Sequence, residues 1–187
     1  MVTRRAVITG IAGIAGGLSI ATIARPMSRL DKLVDEVEPI LKIRNMHTDE
    51  VLDKRFFGPT GYDMDAVSEI NWIMRDWRQD EAIQIDERLM WCLATLRMAA
   101  RKSGHSGTMR LHSGYRSRMT NTALREQGIN AAMNSFHIKG KAADFSMEGI
   151  PTSRIADYAE WLEVGGIGHY TGRFIHIDSG PYRHWTG

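Results

Sequence analysis

The fold is decided by the stretch IGHYTGRFIHID, which occupies residues 167–178. Its first four and last five residues are rich in isoleucine and aromatic side chains and flank a Thr-Gly-Arg turn, which predicts two neighbouring strands. Side chains alternate across a strand, so Ile175 and Ile177 are predicted to face the core. His176 and Asp178 then face the opposite side. The sequence therefore predicts a sheet with one apolar face and one face that carries polar groups.

Along the rest of the chain, helical patterns lie mostly in the N-terminal part and strand patterns mostly in the C-terminal part. Further strands are predicted over residues 41–44, 51–57, 108–113 and 142–146. Helices are predicted after the capping residues Asp65 and Asp86, before Gly128 and after Pro151. The inner side of the helix after Asp65 is assigned to Val67, Ile70, Met74 and Trp77. With 187 residues, we expect an α+β fold: a single compact domain with a small, mainly antiparallel sheet flanked by helices.

The N-terminus has the pattern of an export signal. Paired arginines open an apolar, glycine-rich stretch, so residues 1–24 are interpreted as a twin-arginine signal. An uncleaved membrane anchor is the alternative, although the glycines weaken a membrane-spanning helix. Residues 25–40 are predicted to be a partly helical linker, and residues 41–187 the folded domain.

Charge argues against nucleic acid as a partner. The chain carries 24 basic and 22 acidic side chains, and removal of Arg4 and Arg5 with the signal makes the two counts equal. No cluster of lysine and arginine interleaved with aromatic residues remains, so nucleic-acid binding is not predicted. Membrane contact is expected only through an uncleaved signal, and the mature protein is expected to be a monomer.

Residues 135–144, with the sequence SFHIKGKAAD, provide partners for His176. Their small residues allow a tight turn, so His137 before the turn and Asp144 after it can come together. Three nitrogen and oxygen ligands leave a tetrahedral zinc ion one open position for water, as catalytic sites do. Structural zinc sites favour cysteines, and this chain has only Cys92. The sequence therefore predicts a zinc site, although the same ligands suit other divalent ions.

These two segments resemble the peptidoglycan-cleaving zinc peptidases that include D-alanyl-D-alanine dipeptidases. The shared pattern has a serine two residues before the histidine, a glycine three after it and an aspartate seven after it. Further similarity, which indicates the murein endopeptidase K subgroup, covers residues 45–48, 70–72, 75–78, 113–117, 165–168 and 180–185. The resemblance runs from about residue 41 to the C-terminus.

The resemblance implies a fold of the hedgehog/D-Ala-D-Ala-peptidase type and a zinc peptidase domain over residues 41–187. It implies His137, Asp144 and His176 as the zinc ligands and peptidoglycan peptides as substrates. The predicted signal indicates a protein that is periplasmic or otherwise exported, by the twin-arginine route. The resemblance also implies that Arg116 lies near the site, where it steadies the carbonyl oxygen or a substrate carboxylate. A turn arginine that pairs with exposed acids is the alternative for Arg116.

The general base departs from the family pattern. Relatives carry a glutamate three residues before the last histidine or a histidine two before it, where this chain has Arg173 and Phe174. Asp178, on the same strand face as His176, is the first candidate to take a proton or to orient a ligand. His169 on the neighbouring strand is the second candidate.

Three functions are compatible with these residues. The first is a murein endopeptidase that cuts peptide crosslinks by zinc-activated water. The second is a D,D- or L,D-carboxypeptidase or dipeptidase that trims wall peptides. The third is a zinc-containing wall-binding protein without catalysis, which the missing family base suggests.

Overall fold

The computed structural model describes residues 28–129 and 131–187. The predicted signal over residues 1–24 lies outside these ranges and stays a prediction. Within the described ranges, no helix combines the length and the apolar character needed to cross a bilayer.

Strands form the middle of the molecule. The described residues contain nine strands: β1 (Ile40–Asn45), β2 (Val51–Arg55), β3 (Phe57–Gly58), β4 (Gly61–Tyr62), β5 (Met109–Ser113), β6 (Ala142–Met147), β7 (Gly166–Tyr170), β8 (Phe174–Asp178) and β9 (Arg183–Thr186). Seven of these form one sheet in the order β2-β1-β5-β6-β8-β7-β9, and β3 pairs with β4 in a separate ribbon. The pairs β1–β5 and β7–β9 are parallel, and the others in the large sheet are antiparallel. The predicted α+β domain with a mainly antiparallel sheet is confirmed.

Helices cover one face of the sheet. The described ranges hold five α-helices, α1 (Arg29–Leu33), α2 (Met64–Ile73), α3 (Glu87–Lys102), α4 (Arg118–Glu126) and α5 (Thr152–Leu162), and one 3-10 helix (Phe136–Lys139). Helix α3 packs on β1, and α5 packs on β6, β7 and β8. Ile175 and Ile177 are fully buried on this side, as predicted. The opposite face is left for polar groups.

The start and end of α2 differ from the prediction. Asp63, not Asp65, is the cap, because its Oδ1 accepts hydrogen bonds from the backbone of Asp65 and Ala66, both at 3.1 Å. The helix ends at Ile73, so Trp77 lies in the following turn and not on the inner stripe. The chain turns there because the Met74 carbonyl accepts a hydrogen bond of 2.7 Å from the backbone of Tyr115. Asp86 caps α3 as predicted.

The segment before β1 packs into the core. Helix α1 lies in this segment, and three of the segment's apolar side chains are buried, Leu30, Val34 and Val37. Asp31, itself buried, accepts a hydrogen bond of 2.7 Å from Arg88 on α3 and closes a capping box with Ser28. Residues of the predicted linker therefore pack into the core of the described part of the chain.

Removal of the Asp31 carboxylate tests this attachment. We expect Asp31→Ala to lower the free energy of unfolding by about 3–5 kcal/mol, because it leaves the buried Arg88 guanidinium without its counter-ion. Lys42→Ala, which breaks the exposed 4.0 Å pair with Asp53, is the matched control and should cost at most about 1 kcal/mol. Urea unfolding measures both. Equal, small losses would show that α1 is only loosely attached.

Candidate metal centre

The structure brings together the three predicted metal ligands. His137 Nε2 lies 3.2 Å from Asp144 Oδ1 and 3.2 Å from His176 Nδ1, and the last two atoms are 2.8 Å apart. Among the described residues, this set has the geometry to hold a metal ion. Asp144 on β6 lies directly opposite His176 on β8, which places their side chains on one face of the sheet.

His137 reaches the cluster through a tight turn. Ser135 caps the 3-10 helix by accepting a 3.3 Å hydrogen bond from the backbone of His137. Gly140 ends the helix in the left-handed region, with φ of 63°, and the chain then enters β6. A side chain at Gly140 would lie 2.6 Å from the Gln84 carbonyl oxygen, so both conformation and space favour glycine. This turn places His137 beside Asp144.

A backbone carbonyl fixes the imidazole of His137. Its Nδ1 donates a 2.6 Å hydrogen bond to the Gly114 carbonyl, which leaves the Nε2 lone pair facing the cluster. Gly114 lies against the chain at Met74, where a Cβ atom would be 2.3 Å from the Met74 carbonyl oxygen. The residue that follows β5 therefore supplies the partner that orients the first of the predicted ligands.

A buried carboxylate fixes the imidazole of His176. Its Nε2 donates a 3.1 Å hydrogen bond to Asp178 Oδ2, which leaves Nδ1 for the cluster. The Asp178 carboxylate also accepts from the backbone of Gly166 at 2.9 Å, from that of Gly180 at 2.8 Å, and from Arg183 at 2.6 Å. Its side chain has no exposed surface.

These bonds determine what Asp178 can do. Burial alone would raise the pKa of its carboxyl, but the hydrogen bonds from His176, Arg183 and the two backbone amides outweigh burial and lower the pKa. An ionised carboxylate with this many donors is a weak proton acceptor. Of the two roles predicted for Asp178, the structure therefore favours orienting a ligand over taking a proton.

His169 does not reach the cluster. In the β7–β8 pair it lies opposite Ile175, whereas Gly168 lies opposite His176, so the His169 side chain is on the helix-covered face. Its Nε2 is 3.0 Å from the hydroxyl of Thr152 on α5. The prediction of His169 as a second candidate base is not supported, because strand alternation turns it away.

Arg116 lies beside the cluster, as predicted. Its guanidinium is 3.9 Å from Asp144 Oδ2, the oxygen that does not face the histidines. Its backbone N–H donates a 3.2 Å hydrogen bond to the His137 carbonyl, which ties it to the ligand turn. Burial lowers the pKa of the guanidinium, although the Asp144 charge opposes this shift.

The three donors suit a small metal ion. Ligand atoms about 2.0–2.1 Å from a tetrahedral zinc ion are about 3.3–3.4 Å apart, close to the 2.8–3.2 Å separations in the cluster. Burial lowers the pKa of His137, which favours the neutral ring that a metal needs. Burial would raise the pKa of Asp144, but the two histidines outweigh burial and lower it. The residues present therefore fit a metal ion.

The cluster lies in a cavity of about 420 Å³ on the open face of the sheet. Arg183 and Trp185 of β9, a strand that the sequence did not predict, form one side of it. The Trp185 ring centroid is 5.3 Å from that of His176, and a Cβ atom at Gly168 would meet this ring at 2.7 Å. The sequence signal that could have indicated strand β9 is the alternation of Arg183 and Trp185 with His184.

A larger concavity of about 660 Å³ lies elsewhere, between β2 and α2, and does not include the cluster.

The fold and the site together define a class: an α+β domain whose described residues include two histidines and one carboxylate that could hold a metal ion in an open cleft. The family model of peptidoglycan L,D-endopeptidase MepK matches residues 35–185. The chain belongs to this family, and the resemblance noted in the sequence is confirmed.

Curated relatives agree with the family match. The peptidoglycan L,D-endopeptidase MepK of Escherichia coli K12 is 36% identical over 173 residues, which cover 91% of this chain and 92% of that protein. The protein described as a probable peptidoglycan L,D-endopeptidase MepK of Haemophilus influenzae is 35% identical over 173 residues, with 92% of each chain covered. The similarity therefore spans nearly the full length of both chains.

Two histidines on neighbouring strands provide a matched test of the cluster. We expect His176→Ala to weaken Zn²⁺ binding by at least about 100-fold, because it removes one of three ligands. His169→Ala should bind Zn²⁺ as wild type does, because its side chain faces α5. Competition with a fluorescent chelator measures both affinities. Equal weakening by the two substitutions would contradict the assignment.

Proposed function

We propose that this protein is a zinc-dependent peptidoglycan endopeptidase that hydrolyses peptide crosslinks. The observation that carries the proposal is the convergence of His137 Nε2, Asp144 Oδ1 and His176 Nδ1 in an open cavity. Membership of the family supports peptidoglycan as the substrate, because the relatives are described as peptidoglycan L,D-endopeptidases.

These three ligands suit zinc better than they suit hard cations such as calcium. Two imidazoles and one carboxylate are typical of catalytic zinc sites, whereas calcium takes six to eight oxygen ligands. When bound, zinc supplies a Lewis acid that activates water near neutral pH and polarises the amide carbonyl. His137, Asp144 and His176 would hold the ion, and three protein ligands would leave a tetrahedral zinc ion one position for water.

Arg116 is proposed to steady the carbonyl oxygen of the scissile amide. Its guanidinium is held at the cluster by Asp144 and lines the same cavity. Guanidinium groups donate in a fixed fork, and a partly buried one has a strong effect on developing negative charge. Arg116 thus adds positive charge next to the position where the amide would lie.

Asp178 is proposed to orient His176, with Arg183 holding the carboxylate in turn. Arg183 donates to both Asp178 oxygens, at 3.2 and 2.6 Å. A carboxylate behind a ligating histidine fixes the tautomer and the ring orientation. This role requires no proton transfer by Asp178, in agreement with its burial.

The protein is further proposed to be an exported, periplasmic monomer that uses the twin-arginine route. Paired Arg4 and Arg5 before an apolar stretch support this route, and peptidoglycan as the substrate requires a location outside the cytoplasm. The zinc peptidase domain is proposed to include residues 28–40, because they pack into its core.

Digestion of defined muropeptides tests the activity. Zinc-loaded protein is expected to cut crosslinked dimers into monomers, and His176→Ala to release at least about 100-fold less product, because the third ligand is lost. Chromatography of the products identifies the bond. Trimming of monomers without dimer cleavage would favour a carboxypeptidase or dipeptidase. Zinc-loaded protein that binds sacculi and releases no fragment would favour a wall-binding protein.

Asp178→Asn tests the orienting role separately. We expect it to weaken Zn²⁺ affinity by about 10–100-fold, because the amide cannot replace the charge and the acceptors of the buried carboxylate. Activity of the zinc-saturated variant should recover substantially. Unchanged zinc affinity together with abolished activity would instead identify Asp178 as the proton acceptor.

A further inference from the structure

Three arginines line the metal cavity, and they differ in their partners. Arg183 is bonded to the buried carboxylate of Asp178, and Arg116 lies 3.9 Å from Asp144. Arg173 is exposed, and within residues 28–129 and 131–187 no carboxylate lies within ion-pair distance of its guanidinium. One of the three cations is therefore left without an anion.

The position of Arg173 is fixed by the turn between β7 and β8. Its backbone N–H donates to the Tyr170 carbonyl at 3.0 Å, and the N–H of Gly172 donates to the Thr152 hydroxyl on α5 at 3.2 Å. Gly172 has φ of 71°, a conformation that glycine adopts without strain. The turn is therefore stabilised by one hydrogen bond within the turn and by one to helix α5.

The side chain of Arg173 lies along the cavity wall. Its guanidinium carbon is 5.5 Å from the ring centroid of Phe174, which also lines the cavity. Phe174 and His176 are two positions apart on β8 and so lie on one face, about 7 Å apart along the strand. Arg173, Phe174 and His176 therefore line the same cavity.

The charge of the cavity points to an anionic ligand. Asp144 is the acidic residue among those that line it, against three arginines. A bound divalent ion adds further positive charge. A peptide that places a carboxylate at Arg173 would neutralise the remaining guanidinium, and arginine can bind a carboxylate through two parallel hydrogen bonds.

We propose that Arg173 is a specificity-determining residue that binds a free carboxylate of the peptide substrate, next to the scissile amide. The inference rests on the proposed function. When the amide nitrogen is carried by an amino-acid α-carbon, the carboxyl carbon of that residue is only two bonds from the nitrogen. A free carboxylate there lies on the leaving side of the amide, in the cavity that both the cluster and Arg173 line.

A pair of substrates tests this assignment. The two crosslinked peptides are identical except that the residue carrying the scissile nitrogen ends in a carboxylate in one and in a carboxamide in the other. Wild type is expected to favour the carboxylate by about 10–100-fold in kcat/KM, the range for a hydrogen bond to a charged group. Arg173→Gln should reduce this preference to less than about 3-fold, mainly by losing activity on the carboxylate peptide.

Arg154→Gln is the matched control, because Arg154 is an exposed arginine on α5 that does not line the cavity. It should keep the wild-type preference. Arg173→Lys should retain part of it, because lysine keeps the charge but not the fork. Zinc content should be the same in all variants. Equal loss on both peptides in Arg173→Gln, or a wild type that does not distinguish them, would overturn the inference.

The proposed function and this inference fail separately. Where zinc-loaded wild type releases no product from either peptide, the endopeptidase proposal fails, and calorimetric binding of the same two peptides then tests Arg173. A carboxylate preference in binding that Arg173→Gln removes supports the subsite. Equal binding of the two peptides by wild type overturns it.

Discussion

The site depends on one constraint: each histidine of the cluster has one nitrogen held by the protein and therefore only one for a metal. For His137 the holder is the Gly114 carbonyl, and for His176 it is the Asp178 carboxylate. Each of these hydrogen bonds is made by the ring nitrogen that points away from the cluster. The lone pairs of His137 Nε2 and His176 Nδ1 therefore face the same point as the Asp144 carboxylate. Without these two bonds, each ring could rotate or present its other nitrogen, and the three donors would no longer converge.

The sheet satisfies this constraint by using its two faces differently. Isoleucines of β8 enter the core under α5, while His176 and Asp178 alternate with them on the open face. Close approach of the backbone then completes the arrangement. Gly166 and Gly180 leave room around the Asp178 carboxylate, because a Cβ atom at either would lie within 3 Å of it. The same strand thus contributes to stability on one side and to chemistry on the other.

Much of this could be predicted from the sequence, because alternation and turn patterns are local. The β7–β8 hairpin and the grouping of His137, Asp144 and His176 follow from such patterns and from family resemblance. The hydrogen-bond partners of these three side chains do not. The orientation of His169 depends on the register between β7 and β8, and the burial of Asp178 depends on Arg183 from β9. Register and long-range contacts are properties of the folded chain, so sequence patterns alone could not separate an orienting carboxylate from a base.

The N-terminal segment shows the same limit. Its amphipathic pattern indicated a partly helical linker, but the buried pair of Asp31 and Arg88 joins residues 57 positions apart and places the segment in the core. At the other end of the chain, β9 is short and irregular in sequence, and its parallel pairing with β7 positions Trp185 and Arg183 beside the cluster. The segment before β1 and strand β9 are therefore both packed parts of the domain that carries the cluster.

The most direct measurement is anomalous diffraction at the zinc edge from crystals of the protein grown with Zn²⁺. We expect one ion at about 2.0–2.1 Å from His137 Nε2, an Asp144 oxygen and His176 Nδ1. The His176 Nε2 bond to Asp178 should remain in place. An ion bound elsewhere, or one coordinated by His176 Nε2 with the Asp178 bond broken, would contradict this expectation.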